Sequence, residues 1–187
     1  YQKLGMKNMN TNKNEVITVQ LNGIECMLHF SGLLFIPKFH TVVISDIHFE
    51  KSFAVNMLRS STIPLPPFDT FDTLVTIKKF LNYFSPKKII FLGDTFHNLI
   101  SAESISKKNK NLIKDLIKVY DCIWIKGNHD LYNPKWLDAE PVDEYEENGI
   151  TFRHISQFQE NEISGHYHLK TKIKTKDKSI VGKCFIH

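Results

Sequence analysis

Asp46 and His48 stand two positions apart, immediately after the apolar run Thr41 to Ile44. A carboxylate and an imidazole at that spacing would leave an extended chain on the same side, which is a metal-ligand arrangement. An Asp-x-His pair is equally compatible with a turn acid beside a surface histidine. Its meaning depends on the neighbours that the fold brings to it. Two more polar clusters follow apolar runs in the same way: Gly93-Asp94-Thr95-Phe96-His97 after Lys88 to Leu92, and Lys126-Gly127-Asn128-His129-Asp130 after Cys122 to Ile125. His154 and Gly165-His166-Tyr167-His168 come later. Six of the nine histidines therefore fall in or near these segments. So many imidazoles and carboxylates gathered in one place would be costly without a neutralising cation. A His/Asp/Asn donor set suits a borderline or hard divalent ion such as Mn, Fe or Zn rather than a thiolate-based structural zinc.

The elements that would position these residues are legible from the pattern. Val16 to Leu21 and Ile24 to Phe30 flank Asn22-Gly23, which predicts an opening β-hairpin. Leu33 to Ile36 and Thr41 to Ser45 read as strands, the second buried on both faces. The segment from Lys51 to Phe68, with Ser60, Ser61, Thr62, Pro64, Pro66 and Pro67, is expected to be loop without helix. Asp69 opens a helix that Pro86 closes, with Phe71, Leu74, Val75, Leu81 and Phe84 at helical spacing. A second helix is expected over Glu103 to Tyr120. Strand-helix-strand crossovers keep parallel strands aligned, so three strands should deliver their polar ends to one sheet edge, where open α/β sheets bind ligands. Beyond Pro134, Ile150 to Arg153, Glu162 to Ser164, Leu169 to Thr175 and Ile180 to Ile186 read as a second, stacked sheet. The acidic run Asp138 to Glu147 reads as a solvated excursion.

Bulk properties set the frame. At 187 residues, with 42% hydrophobic and 24% charged residues, the chain reads as one globular domain, residues 15–187, preceded by a polar tail at 1–14. No apolar run approaches a membrane span, and the amino-terminal stretch does not read as a secretory signal, so a cytoplasmic location is expected. Cys26, Cys122 and Cys184 are far apart in apolar segments and read as core thiols in a reducing compartment. The net charge of +4 permits an anionic partner without requiring one.

The ordered series DxH (Asp46, His48), GDxxH (Asp94, His97), GNHD (Asn128, His129, Asp130), lone His154 and GHxH (His166, His168) resembles the calcineurin-like metallophosphoesterases over 41–168, about two thirds of the chain. Ser31-Gly-Leu-Leu, Asp46-Ile-His-Phe-Glu-Lys, Pro64-Leu-Pro-Pro-Phe-Asp-Thr and Leu92-Gly-Asp-Thr-Phe-His are further similar to a bacterial branch known as ligase-associated DNA damage response endonucleases or phosphoesterases. The resemblance implies a four-layer α/β/β/α sandwich of two mixed sheets with the active site at the strand carboxyl ends.

It implies one metal held by Asp46, His48, Asp94 and His168, and a second held by Asp94 as bridge with Asn128, His154 and His166. It implies manganese first among the divalent ions, with Fe, Zn, Mg and Ni as alternatives. A metal-bridging hydroxide would attack phosphorus, and His129 would serve as general acid. Asp130 is expected either to orient His129 or to be an ordinary turn acid. His97 reads as a partner of the metal ligands or a substrate contact. Lys51 reads as a phosphate contact or a solvated lysine. His29, His40 and His187 carry no motif.

The implied substrate is a phosphodiester, with DNA first. A small nucleotide, a phosphomonoester or an inactive scaffold are the alternatives, and a DNA ligase or helicase is the implied partner. Relatives of that branch continue past the Cys-Phe pair, here Cys184-Phe185, so a chain ending at His187 is expected to lack the last strand of the second sheet.

Overall fold

The computed structural model describes residues 16–58, 69–176 and 178–186; the segment 1–14 and the Ser/Pro-rich stretch at 60–67 lie outside them. β1 (Val16–Leu21) and β2 (Ile24–His29) form the expected hairpin, with Leu21 paired to Ile24. Asn22 and Gly23 make its two-residue turn with φ of 51° and 70°, the left-handed pair that Asn-Gly supplies. β3 (Leu34–Ile36) pairs antiparallel with β2, and a 3-10 turn at Pro37–Phe39 leads to β4 (Thr41–Ile44), antiparallel to β3. β4, β5 (Lys88–Leu92) and β6 (Asp121–Ile125) are mutually parallel neighbours, which completes a six-stranded mixed sheet in the order β1-β2-β3-β4-β5-β6.

The crossovers hold α1 (Lys51–Leu58) and α2 (Asp69–Phe84) before β5, then α3 (Leu99–Ser104) and α4 (Lys107–Val119) before β6. Two expectations change here. The stretch after Lys51 does contain a helix, because the three prolines all lie beyond Leu58 and restrict only their own surroundings. The helix expected over 103–120 is two helices. Ile105, with ψ of 136°, leaves the helical region to bury its side chain, and the Ser106 side chain then caps α4 by accepting the Asn109 N–H at 3.2 Å.

The pleat divides the core in two. Phe35, Val42, Ile44, Ile89, Phe91 and Trp124 face the helices and pack on Leu74, Ile77, Leu81, Ile113 and Leu116. Leu34, Ile36, Val43, Ile90, Leu92 and Ile125 face the other way and pack on Ile150 and Phe152. Those two belong to β8 (Ile150–Arg153), which pairs antiparallel with β7 (Glu144–Glu147) and parallel with β9 (Glu162–Ser164), so the second sheet is also mixed.

β7 occupies the end of the acidic run expected to be an excursion. Its Glu144 meets Arg153 at 3.1 Å and its Glu147 meets Lys88 at 2.8 Å, so basic partners hold the acids in a strand. Among the described residues β10 (Lys170–Lys174) and β11 (Ser179–Lys183) pair only with each other and do not extend the second sheet. Among the described residues no helix follows β6, so the outer helical layer expected over the second sheet is missing there. None of their helices is long and apolar enough to cross a membrane. Cys26 is buried, Cys122 and Cys184 are half-buried, and all three are free thiols.

Candidate metal centre

The carboxyl ends of β4, β5 and β6 and the segments after β8 and β9 meet at one edge, as parallel alignment requires. The pairing of Asp46 with His48 has a different cause from the one the spacing suggests. β4 ends at Ile44, and both residues have left-handed backbones, with φ of 54° and 51°. Their loop runs alongside the loop after β5. The Asp46, His48 and Phe49 amides donate to the carbonyls of Gly93, Asp94 and Thr95 at 3.2, 2.9 and 2.8 Å. Asp94, His166 and His168 are left-handed too, with φ of 49°, 69° and 45°. Five non-glycine residues held in this sparsely populated region at one site mark stored backbone strain of the kind found at functional centres.

The side chains form two groups that share Asp94. In the first, His168 Nε2 lies 3.6 Å from Asp46 Oδ1 and 3.2 Å from His48 Nε2, which is 3.8 Å from Asp94 Oδ2. In the second, His154 Nε2 lies 3.4 Å from the same Asp94 Oδ2 and 3.1 Å from Asn128 Oδ1. The Asn128 oxygen in turn lies 2.9 Å from His166 Nδ1. In each group the His and Asp ligand atoms fall within 4.8 Å of one another, close enough to surround one ion. The donor chemistry fits divalent cations. His154 Nδ1–H donates to the Leu92 carbonyl at 2.9 Å, which turns the Nε2 lone pair toward two oxygens. Only a proton or a cation reconciles those three acceptors.

Electrostatics point the same way. Burial opposes the charge of Asp94, but His154 and the backbone N–H of His129 outweigh it and hold the carboxyl at about 2. Burial, reinforced by His129, His168 and Lys51, holds His48 at about 4, against the pull of Asp94. His48 is thus a neutral imidazole with a lone pair to offer near neutral pH. Burial opposes protonation of His154, and Asp94 and the Leu92 carbonyl outweigh it, so its pKa is raised.

His129 sits beside both groups. Its N–H donates to Asp94 Oδ1 at 2.9 Å and its Nδ1–H to the His97 carbonyl at 3.0 Å, and Nε2 has no hydrogen-bond partner among the described residues. His97 stacks on the His129 ring with centroids 5.3 Å apart, and burial lowers its own pKa. His48, His97 and His129 also form a third group of converging nitrogens. Lys51 opens α1 with its side chain exposed, near enough to disfavour protonation of His48 and His97.

Residues 39–181 match the family model of the calcineurin-like phosphoesterases, well over half of the chain. The chain belongs to that family. It is a metal-dependent phosphoesterase. The fold is also similar to that of the Pseudomonas putida nuclease MPE, with a TM-score of 0.68 at 22% identity over 82% of this chain and 74% of the other. No curated protein matches the chain in sequence.

One expected role changes in this phosphoesterase. Asp130 does not touch the His129 ring. Its Oδ1 accepts the N–H groups of Asp94 and Gly127 at 2.9 and 3.0 Å, and its Oδ2 those of Thr95 and Phe96 at 2.7 and 3.0 Å. A buried carboxylate with both oxygens so used is a clasp between the loops after β5 and β6, and the His97 carbonyl is what orients His129.

Two parts of the site escaped the sequence reading. The Ser45 hydroxyl donates to Asp46 Oδ2 at 2.6 Å. Gly127 is a glycine because a Cβ there would fall on the Asp94 carboxylate and backbone nitrogen. The sequence signals were the serine preceding the first motif and the glycine opening the third.

Proposed function

We propose that this phosphoesterase hydrolyses phosphodiester bonds in DNA with two divalent ions, manganese first among them. Asp46, His48, Asp94 and His168 would hold one ion, and Asp94, Asn128, His154 and His166 the other. The observation that carries this reading is Asp94 Oδ2, which faces both ligand groups at 3.4 and 3.8 Å. When bound, the ions supply an activated water and neutralise charge on the phosphoryl oxygens. The chain supplies the rest. Asp94 Oδ1 and the His97 carbonyl fix His129 from its backbone and from Nδ1, so Nε2 is the atom left to carry a proton to the departing oxygen. His97 is a positioning residue in this scheme.

DNA as the substrate is supported by the motif resemblance to the ligase-associated branch and by the nuclease title of the Pseudomonas putida neighbour. The same resemblance supports a cytoplasmic role in DNA repair beside a DNA ligase or helicase, which co-purification tests. The chain loaded with Mn would be assayed on a chromogenic diester, a chromogenic monoester, and single- and double-stranded DNA. Diester and DNA turnover is expected, with kcat lowered by about 10²–10⁴ in His129→Ala at unchanged metal content. Asp94→Ala is expected to lose both ions by elemental analysis. A folded, metal-loaded sample that turns over none of these substrates overturns the reading. Diester cleavage without DNA cleavage moves the substrate to a small diester.

A further inference from the structure

No residue of the β10–β11 hairpin belongs to either candidate ligand group. Every residue of both strands is exposed, and no other strand among the described residues pairs with them. Between 170 and 183 the chain has six lysines and one aspartate, a net +5 against +4 for the whole protein. The positive excess of this chain is therefore the charge of this hairpin.

The register sorts the lysines onto one face. Lys170 pairs with Lys183, Lys172 with Val181 and Lys174 with Ser179, while Thr171 with Gly182 and Ile173 with Ile180 make up the other face. Paired residues share a face and alternate along each strand. Lys170, Lys172 and Lys174 consequently form a straight row at about 6.6 Å spacing, with Lys183 beside its first member. No carboxylate among the described residues pairs with any of the four. Like charges directly opposed, as at Lys170 and Lys183, cost a hairpin stability, and alternation with glutamate would remove that cost.

The row starts at the catalytic edge. Lys170 follows His168 by two residues, at most about 7.6 Å between Cα atoms. The Cys184 N–H donates to the Leu169 carbonyl at 3.1 Å and closes the base of the hairpin there.

We propose that the lysine face of β10–β11 binds the phosphodiester backbone of the DNA strand that continues out of the active site. The complementarity is of charge and shape: a row of ammonium groups at regular intervals against a polyanion. The inference rests on the phosphodiesterase reading for its geometry, and its test is separate. Binding of fluorescein-labelled DNA of about 20 nucleotides, single- and double-stranded, would be followed by anisotropy in EDTA, where no cleavage occurs.

Three proteins are compared: the wild type, Lys170→Gln/Lys172→Gln/Lys174→Gln, and a control with the same charge change on the helical layer, Lys78→Gln/Lys79→Gln/Lys107→Gln. The hairpin variant is expected to bind at least about tenfold more weakly, and the slope of log affinity against log salt to fall by about 2. The control is expected to stay within about twofold of wild type. Lys172→Gln alone, with an unchanged circular dichroism spectrum, gives a smaller loss in the same direction and guards against misfolding. Equal losses in the two triple variants, or no binding by wild type at low salt, overturn the proposal. Wild-type turnover of the chromogenic diester judges the phosphodiesterase reading independently.

Discussion

Asp94 divides its work between two oxygens: Oδ2 faces both ligand groups, and Oδ1 holds the His129 backbone at 2.9 Å. Thirty-six positions later, Asp130 does the reverse and touches only amides. Two carboxylates of the same chemistry thus serve one for charge and one for architecture. The distinction gives a prediction at this scale. Asp130→Ala leaves four buried N–H groups without their acceptor, and at about 1 kcal/mol or more each it should cost at least about 3 kcal/mol of stability. Asp130→Asn keeps one accepting oxygen and should lose less, while the pH profile of kcat stays that of wild type. Denaturant unfolding measures the first; a shifted kcat profile in Asp130→Asn would restore its role as the partner of the His129 ring.

At the scale of elements, the site is made by loops laced to one another. The loop after β4 is bonded along its backbone to the loop after β5, and Asp130 ties the loop after β6 to the loop after β5. Left-handed residues at Asp46, His48 and Asp94 are tolerated because these bonds over-determine the backbone. Gly127 stands where the loops come closest. Gly127→Ala must push Asp94 aside, so it should cost about 1–3 kcal/mol and release metal as well. Elemental analysis beside thermal unfolding checks this, and full metal content in a folded Gly127→Ala protein would show that Asp94 can move without losing its ligand role.

Across the whole molecule, the six-stranded sheet buries one face under the helices and the other under β8, and its edge carries the candidate ligands to the ends of parallel strands. Folding assembles the candidate ligand sets and the unfolded chain scatters them over 46–168, so metal should bind the native state selectively. At a free ion concentration of about 100 times Kd, each site would add about 2.7 kcal/mol, which for a chain of this size raises Tm by about 5–10 °C. EDTA should remove that shift, and Asp94→Ala should show none of it. A wild-type Tm indifferent to Mn would mean that the groups do not bind the ion in the folded protein.

By itself the sequence determined the strands of the first sheet, the Asn22-Gly23 hairpin, strands β8 and β9, and which side chains would meet. Those features are written locally, in period-two apolar runs, in turn dipeptides, and in motifs whose order along the chain already states a parallel arrangement. The tertiary structure alone decided the rest. It decided that Asp46 and His48 converge through left-handed loop backbone, since that conformation is imposed by hydrogen bonds to residues 93–95. It decided that the acidic run forms β7, since its glutamates needed Lys88 and Arg153 from elsewhere in the fold. It also decided that Asp130 is a clasp, because the four amides it accepts come from two loops that sequence separation keeps apart until the sheet is built.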